Sequence, residues 1–200
     1  MNYIGSKFKL APFLKEEITN VAVNDLSQKV FCDIFAGTGA VGRTFKKDVK
    51  KVISNDLENY SFVLNKNYIE NHEEIENKED FIEELNSLKL IDSGFIYKHY
   101  CMGSGSNRQY FSDVNGKKID TIRTKINEWQ KAKKIDDNLF YFLLASLLES
   151  ADKVANTASV YGAYLKHIKK SASKEMVLEP ALFEENENEH KVYNEDANEL

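Results

Sequence analysis

The sequence predicts an α/β fold, in which a short parallel β-sheet is combined with a long, mostly helical segment. Lys29–Phe35 (KVFCDIF) is rich in β-branched and aromatic residues and runs into the glycine-rich AGTGAVG, and Lys50–Asp56 (KKVISND) repeats this pattern. The stretch between them, from Gly39 to Lys47, has the length of a helix that connects two parallel strands. Strand, glycine-rich turn, helix and strand in this order predict a βαβ unit.

The remaining elements follow from the spacing of apolar residues. Lys7–Val23 has apolar residues at helical spacing, which predicts an amphipathic first helix. Between Leu57 and Lys89, apolar and acidic residues alternate at a helical period without proline or glycine, which predicts one or two solvated helices. We predict an irregular functional loop region at Gly94–Gly116, followed by two helices at Lys118–Gln130 and Asn138–Tyr164. A polar connector is predicted at Lys169–Asn188 and a third strand at His190–Leu200.

The composition is that of a folded globular protein. Hydrophobic residues make up 42% and charged residues 30% of the 200 residues, which excludes a disordered chain. There is no run of eighteen apolar residues and no apolar signal-peptide core after Met1, so we expect a cytoplasmic protein without a membrane segment. Cys32 and Cys101 lie far apart and outside any CxxC pattern, so neither a metal site nor a disulfide framework is predicted.

The charges are segregated along the chain. The net charge is −5, but seven acids and one base fall within Glu184–Leu200. In contrast, Tyr100–Lys134 contains eight Lys or Arg residues against three acids. A locally basic block of this kind is the electrostatic pattern of a surface that faces phosphates. The negative net charge of the whole chain therefore does not exclude a nucleic-acid partner.

The glycine-rich turn carries the first functional signal. Gly37 and Gly39 let the backbone pass close to a ligand, and the helix that follows offers unpaired N–H groups at its start. Asp56 stands at the end of the next strand, seventeen residues after Gly39, where it can accept hydrogen bonds from ribose hydroxyls. A tight turn without a ligand, and a capping or solvated aspartate, are the alternatives to this interpretation.

The turn departs from the dinucleotide-binding pattern. It lacks the third glycine of that pattern, and Asp33 stands at the end of the strand that precedes it. A carboxylate at this place repels a pyrophosphate but attracts the ammonium group of a methionine moiety. The charge pattern therefore favours S-adenosyl-L-methionine over NAD. The dinucleotide-binding domain of an oxidoreductase is the disfavoured alternative.

Three motifs together resemble those of adenine-N6-specific DNA methyltransferases related to the bacterial DNA adenine methylase. They are NYIGSK, DIFAGTGAVG and SNDLE, in the order that the family has them. The resemblance implies a Rossmann-like methyltransferase core, S-adenosyl-L-methionine as cofactor without a metal, and site-specific methylation of double-stranded DNA, as in restriction-modification. The predicted cofactor-binding residues are Tyr3, Lys7, Asp33, Phe35, Ala36, Gly37, Gly39, Asp56 and Asp196. For Asp196, a solvated acid in an acidic tail is the alternative.

The resemblance continues through NRQYFSDVNGKKIDTIR and LLASLLESADKVANTASVYGAYLK, which resemble an inserted, mostly helical target-recognition subdomain. It implies a first part of the core with the cofactor loop at 1–60, the insertion at 61–168, and a connector with the third core strand at 169–200. Cations and aromatic rings suit phosphates and a duplex with a flipped base, although a solvated basic loop is the alternative. The predicted DNA-binding residues are Arg108, Tyr110, Lys117, Lys118 and Arg123. Asn156, Thr157 and Tyr161 are further polar candidates, for which helix packing is favoured.

The catalytic motif of this family, (D/N/S)-P-P-(Y/F), is absent. The only two prolines, Pro12 and Pro180, lie far apart, so no catalytic residue is predicted. We therefore expect an incomplete core, in a truncated or split form that is inactive alone. The alternative is a non-catalytic subunit that binds cofactor and DNA and is completed by a second polypeptide with the catalytic half.

Overall fold

The computed structural model describes residues 7–22, 25–158 and 162–200. Short 3₁₀ turns lie at Phe8–Leu10 and Met102–Ser104, and one π-helical turn lies at Lys66–Glu70. The helices and strands of the described ranges are α1 (Ala11–Val21), β1 (Val30–Asp33), α2 (Ala40–Phe45), β2 (Lys51–Asn55), α3 (Asn59–Asn65), α4 (Lys78–Ser87), α5 (Phe95–Tyr100), α6 (Asp113–Lys131), α7 (Asp137–Val154) and β3 (Lys191–Tyr193).

The chain divides into two compact units. The sheet unit contains the described residues up to Ile75 together with Leu182–Leu200, and the helical unit is Glu76–Ala181. The sequence placed the divisions after residues 60 and 168. Residues 61–75, which contain most of α3 and the π-helical turn, lie in the sheet unit because their apolar side chains belong to its core.

Three parallel strands form the sheet, in the order β1-β2-β3. In the pairing of β1 with β2, Asp33 lies opposite Ser54, and in the pairing of β2 with β3, Asn55 lies opposite Tyr193. Helix α2 connects the first two strands, so the predicted βαβ unit is confirmed. This small parallel sheet with helices is compatible with an α/β methyltransferase fold.

The core of the sheet unit lies between the sheet and the helices that follow its strands. The Phe31 ring of β1 stacks on the Phe45 ring of α2 with centroids 4.4 Å apart. Burial of such apolar surface is the main stabilising term of a unit of this size. The buried members of this cluster are Leu26, Phe45, Val49, Val52, Ile69 and Val192.

The helices after β2 differ from the prediction of solvated helices. In α3, Leu64 and Asn65 are almost fully buried, and Tyr68 and Ile69 of the π-helical turn are buried as well. The acidic residues that suggested solvation stand mainly in the following segment, where α4 exposes them and buries Ile82 and Leu85. The prediction of helices is therefore confirmed for this region. The prediction that they are solvated holds for α4 and not for α3.

The helical unit is built on α6 and α7. Both helices have a side-chain N-cap. The Ser112 hydroxyl accepts from the Asn115 N–H, and the Asp136 carboxylate accepts from the Leu139 N–H at 2.8 Å. The apolar run of α7 is buried, as predicted, but the helix ends at Val154 and does not reach 164. The region predicted to be an irregular loop contains α5. No helix in the described ranges is long and apolar enough to cross a membrane.

Candidate functional site

The strands of the sheet unit are parallel, so the segments that leave their carboxyl ends meet at one edge of the sheet. Asp33 ends β1, Asn55 ends β2 and is followed by Asp56, and Asn194 follows β3. In open parallel sheets this edge is where ligands bind, because the loops and helix starts converge there. The candidate cofactor site is therefore the carboxyl edge of this sheet.

The glycine-rich turn after β1 has a conformation that requires its glycines. Gly37 and Gly39 have φ angles of 54° and 74°, in the left-handed region that side chains rarely adopt. The Gly39 N–H donates to the Ala36 carbonyl at 2.8 Å, and the Ala36 N–H donates to the Asn55 carbonyl at 3.0 Å. One hydrogen bond thus closes the turn and another joins it to the end of β2. The backbone of both glycines therefore lies at the edge of the sheet.

Asp56 connects the end of β2 to this turn. One carboxylate oxygen accepts a hydrogen bond from the Gly37 N–H at 2.7 Å, and the other accepts from the Glu58 N–H at 3.0 Å. The second contact is a local bond two residues along the chain, to the N-cap residue of α3, and not a side-chain cap of that helix. Each carboxylate oxygen retains capacity for a further donor, such as a hydroxyl group.

Asp33 is half-buried beside Asp56 at the same edge. Burial raises the pKa of the Asp33 carboxyl above its ordinary value, and the negative charge of Asp56 acts in the same direction. A hydrogen bond from the Phe35 backbone N–H and the positive charge of Lys7 oppose this rise in pKa. The structure therefore brings Lys7, Asp33 and Asp56 together at one end of the sheet.

The other predicted cofactor residues are placed differently. Ala36 is buried in the turn, whereas the Phe35 side chain is 76% exposed. Asp196 is exposed, and its carboxylate accepts from the backbone N–H and the side-chain amide of Asn198, which lowers its pKa. These contacts are local to the segment after β3. Tyr3 lies outside the described residues.

Side-chain amides that sequence reasoning missed hold this edge together. Asn55 is 2% exposed, and its amide both donates to the Glu195 carbonyl and accepts from the Glu195 N–H, each at 3.0 Å. Asn194 donates to the Asp56 carbonyl at 2.7 Å. Asn65 donates to the Gly37 carbonyl at 2.9 Å. Asparagine is depleted in strands, so its presence at the end of β2 was the available signal.

In the helical unit, three of the predicted DNA-binding residues lie beside tyrosine rings. The Tyr110 ring lies edge-on to the rings of Tyr100 and Tyr164, with centroids 5.5 and 5.2 Å apart. The Arg108 guanidinium lies 5.8 Å from the Tyr100 ring. The Lys117 ammonium lies 4.8 Å from the ring of Tyr97. These are cation–π distances, in which the charge stays close to an apolar surface.

Lys118 and Arg123 have different surroundings. Lys118 is 8% exposed and its ammonium pairs with the Glu175 carboxylate at 3.1 Å, so it is not on an open cationic surface. Arg123 is exposed and donates to the Asn127 side chain one turn later in α6. The burial of Lys118 follows from its position on the inner side of α6, between the buried Gly116 and Ile119.

Asn156 and Thr157, the weaker polar candidates, are buried. The Asn156 amide donates to the carbonyls of Gln109 and Leu165 and accepts from the Lys169 N–H, all within 3.0 Å. This agrees with the packing role that was favoured for these residues, although they follow α7 and are not part of it. Tyr161 lies outside the described residues.

Two other features of the described residues bear on possible chemistry. No group of three or more His, Cys, Asp or Glu side chains in the described ranges could hold a metal ion. A cavity of about 400 Å³ in the sheet unit is lined by α2, Tyr68 and the segment Leu182–Glu184. Burial lowers the pKa of Lys46 in its wall to about 8, and the Lys46 ammonium donates to the Asn71 carbonyl. Arg43, Lys46 and Glu184 line this cavity together, so charges of both signs face it.

Comparisons with known proteins agree with this picture. M.NlaIII of Neisseria lactamica, a type II methyltransferase, is 60% identical over all 200 residues of this chain and 60% of its own length. M.CviAII of Paramecium bursaria Chlorella virus 1, also a type II methyltransferase, is 38% identical over the whole chain and 60% of its own length. M.FokI of Planomicrobium okeanokoites is 36% identical over 32% of its length. The chain thus spans at most about 60% of these relatives, and no solved structure matches it.

The family comparison covers nearly the whole chain. The matching family is described as D12 class N6 adenine-specific DNA methyltransferase, and the match extends over residues 3–200. It therefore includes the glycine-rich turn, the acids at the carboxyl edge of the sheet and the whole helical unit. On this match, the chain belongs to the D12 class of N6 adenine-specific DNA methyltransferases.

Proposed function

We propose that the sheet unit binds S-adenosyl-L-methionine for the methylation of adenine N6 in DNA. The observation that carries this proposal is the hydrogen bond from the Gly37 N–H to the Asp56 carboxylate, beside the half-buried Asp33. It supports the proposal because two glycines and two acids lie at the carboxyl edge of a parallel sheet, where ligands commonly bind. Family membership supports the choice of cofactor.

The residues at this edge fit that cofactor in charge and in shape. A side chain at Gly39 would collide with Asn65, so at this position the turn presents only its backbone. Asp33 is a carboxylate whose charged form is disfavoured by burial and by Asp56, and a cationic ligand relieves both effects. The ammonium group of S-adenosyl-L-methionine is such a cation, whereas the pyrophosphate of NAD would add like charge.

The proposed division of work among the residues is simple. When bound, S-adenosyl-L-methionine supplies a methyl group on a sulfonium, which is electrophilic without a metal. The turn at Gly37 and Gly39 holds the ligand through backbone groups, Asp33 attracts its ammonium group, and Asp56 accepts from its ribose hydroxyls. None of these residues orients the target adenine, and the sequence has no adjacent prolines of the family's catalytic motif. Binding is therefore the direct test of this chain.

The first prediction concerns Asp33→Asn. The substitution keeps the shape of the side chain and removes its charge, so we expect S-adenosyl-L-methionine to bind roughly tenfold or more weakly, as for the loss of a charge-assisted hydrogen bond. Isothermal titration calorimetry of the 200-residue chain measures this directly. Since burial raises the pKa of Asp33, the same variant is expected to unfold at a temperature no lower than the wild type.

The matched control is Asp25→Asn, which changes an exposed acid of the same unit away from the strand ends. It should leave the affinity within about twofold of the wild type. Equal weakening by both substitutions would mean that overall charge, and not Asp33, attracts the ligand. Binding of NAD in place of S-adenosyl-L-methionine by the wild type would overturn the proposed cofactor.

We further propose that the helical unit contacts double-stranded DNA through Arg108, Tyr110, Lys117 and Arg123. Three of these residues lie beside tyrosine rings, and a combination of cations and rings suits phosphates and unstacked bases. Lys118 is left out of this proposal, because its ammonium is buried against Glu175. We assign Lys118 to the packing of α6 instead.

The second prediction tests this surface by its salt dependence. Arg108→Ala removes one exposed cation, so we expect weaker binding to any duplex and a log–log salt slope that is shallower by about 1. Fluorescence anisotropy with a labelled adenine-containing duplex, measured at several salt concentrations, gives both values. Lys89→Ala, which removes an exposed lysine elsewhere in the helical unit, is the control and should leave the slope unchanged. Identical slopes for wild type and Arg108→Ala would exclude Arg108 from the interface.

A further inference from the structure

Asn65 is a buried amide that contacts the glycine-rich turn from the end of α3. It ends α3, is 1% exposed, and donates through Nδ2 to the Gly37 carbonyl at 2.9 Å and to the Ser61 carbonyl at 2.8 Å. Two acceptors on one side fix the orientation of the amide, because the opposite orientation would put its oxygen against both carbonyls. Oδ1 must then face the other way.

Oδ1 of Asn65 faces the second glycine of the turn. A Cβ on Gly39 would stand 2.7 Å from this oxygen, which is closer than real Cβ contacts allow. Within the part of the chain that the structure describes, this buried oxygen accepts no hydrogen bond. The hydrogen bonds of this side chain are made by Nδ2, and its bond to the Gly37 carbonyl is the one that reaches the turn.

The bond to the Gly37 carbonyl also sets the direction of the next amide. The described peptide bonds are all trans, and in a trans peptide the C=O and N–H groups point in opposite directions. With the Gly37 carbonyl directed at Asn65, the Thr38 N–H is directed away from α3. The Gly37 N–H is already bonded to Asp56 and the Gly39 N–H to Ala36, so neither of these is free for a ligand.

From this arrangement we infer that Asn65 is a positioning residue, which turns the Thr38 N–H toward the cofactor. The inference rests on the proposed binding of S-adenosyl-L-methionine at this turn. Asn65 does not touch the ligand itself. It holds the Gly37–Thr38 peptide in the one orientation that presents a backbone donor at the carboxyl edge of the sheet.

The test compares Asn65→Ala with the wild type in the 200-residue chain. Without the amide, the Gly37–Thr38 peptide is free to rotate, so we expect S-adenosyl-L-methionine to bind roughly tenfold more weakly in calorimetry. We also expect the Thr38 amide resonance to move in ¹H–¹⁵N spectra of the ligand-free chain. A purely structural role would lower the melting temperature without moving either readout in the folded protein.

Asn71→Ala is the matched control, since Asn71 is also a buried amide of the sheet unit and its side chain donates to Asn67, which lies in the π-helical turn after α3. It should lower the melting temperature while affinity stays within about twofold. Unchanged affinity in folded Asn65→Ala, or equal weakening in both variants, would overturn the inference. If Asn65→Ala does not fold, Asn65→Ser, which fills more of the space, takes its place under the same criteria. Absence of binding by the wild type would instead refute the proposed function.

Discussion

Neutral amide side chains, and not only the acids, define the candidate cofactor site at the residue scale. Asn55, Asn65 and Asn194 donate to the backbone of segments far away in sequence. An amide has both donors and an acceptor, so one buried Asn can fix two peptide groups without the desolvation cost of a charge. The edge is therefore held together by neutral amides as well as by the Asp56 carboxylate.

A second residue-scale feature is the close approach of α5 and α6 in the helical unit. A Cβ at Gly116 would stand 2.3 Å from the Cys101 sulfur, which is fully buried. Burial raises the pKa of the Cys101 thiol to about 12, so this cysteine is a packing residue and not a reactive one. A larger residue at position 116 would collide with Cys101, which explains a glycine inside a helix, where glycine is otherwise unfavourable.

The third prediction follows from this contact. Gly116→Ala gains helix propensity but forces the Cys101 sulfur to shift, and we expect a net loss of about 1–2 kcal/mol in unfolding free energy. Chemical denaturation followed by circular dichroism measures it. Adding Cys101→Ala removes the sulfur, so the double variant should be more stable than the sum of the two single effects. Simple additivity would show that the collision is relieved in another way.

At the scale of elements, strands and helices were predictable where apolar spacing decides them. The strands, the crossover helix and the apolar run of α7 all lie within their predicted ranges. The prediction of solvated helices after β2 was wrong for α3, because Asn65 counts as polar in a pattern and is nevertheless buried, with its Nδ2 group donating to two carbonyls. Pattern reasoning cannot distinguish a buried, hydrogen-bonded amide from a solvated one.

The end of α7 shows a similar limit. Small and apolar residues continue past Val154, so the spacing predicts a helix to residue 164. The backbone instead becomes extended at Ala155, and the Asn156 side chain bonds to Gln109, Leu165 and Lys169. Asparagine side chains that bond to the backbone compete with helix continuation. The partners are distant in sequence, so this helix end could not be read from the local pattern.

At the scale of the whole molecule, the chain order of sheet, helices and sheet was predictable, and its boundaries were not. The two glycines and the acids Asp33 and Asp56 meet as the βαβ pattern predicts, because parallel strands bring their ends to one edge. The helical unit lies between two stretches of the sheet unit in sequence. Its predicted role in target recognition depends on contacts with DNA, which spacing alone does not determine.

His190 links distant segments of the sheet unit just before β3. Its Nδ1 accepts from the Val52 N–H at 3.0 Å, so the proton of the neutral ring lies on Nε2, next to the Asn186 side-chain oxygen at 3.2 Å. Burial lowers the pKa of His190 to about 4, and the positive charge of Lys46 acts in the same direction. The folded state therefore requires the neutral imidazole, because a protonated ring could not accept from Val52.

The fourth prediction is that this histidine makes the sheet unit acid-sensitive. An unfolded histidine has an ordinary pKa of about 6.5, so between about pH 6.5 and 4 the unfolded chain binds the extra proton and the folded chain does not. Stability is therefore fully present above pH 6.5 and falls as the pH is lowered, by roughly 3 kcal/mol from this group at the acid limit. Urea unfolding of wild type and His190→Gln across this range tests it, since the carboxylates titrate in both proteins. We expect His190→Gln to be less stable at pH 7 and to lose less stability on acidification. If the unfolding free energies of the two proteins fell in parallel with decreasing pH, His190 would be protonated in the folded chain as readily as in the unfolded one.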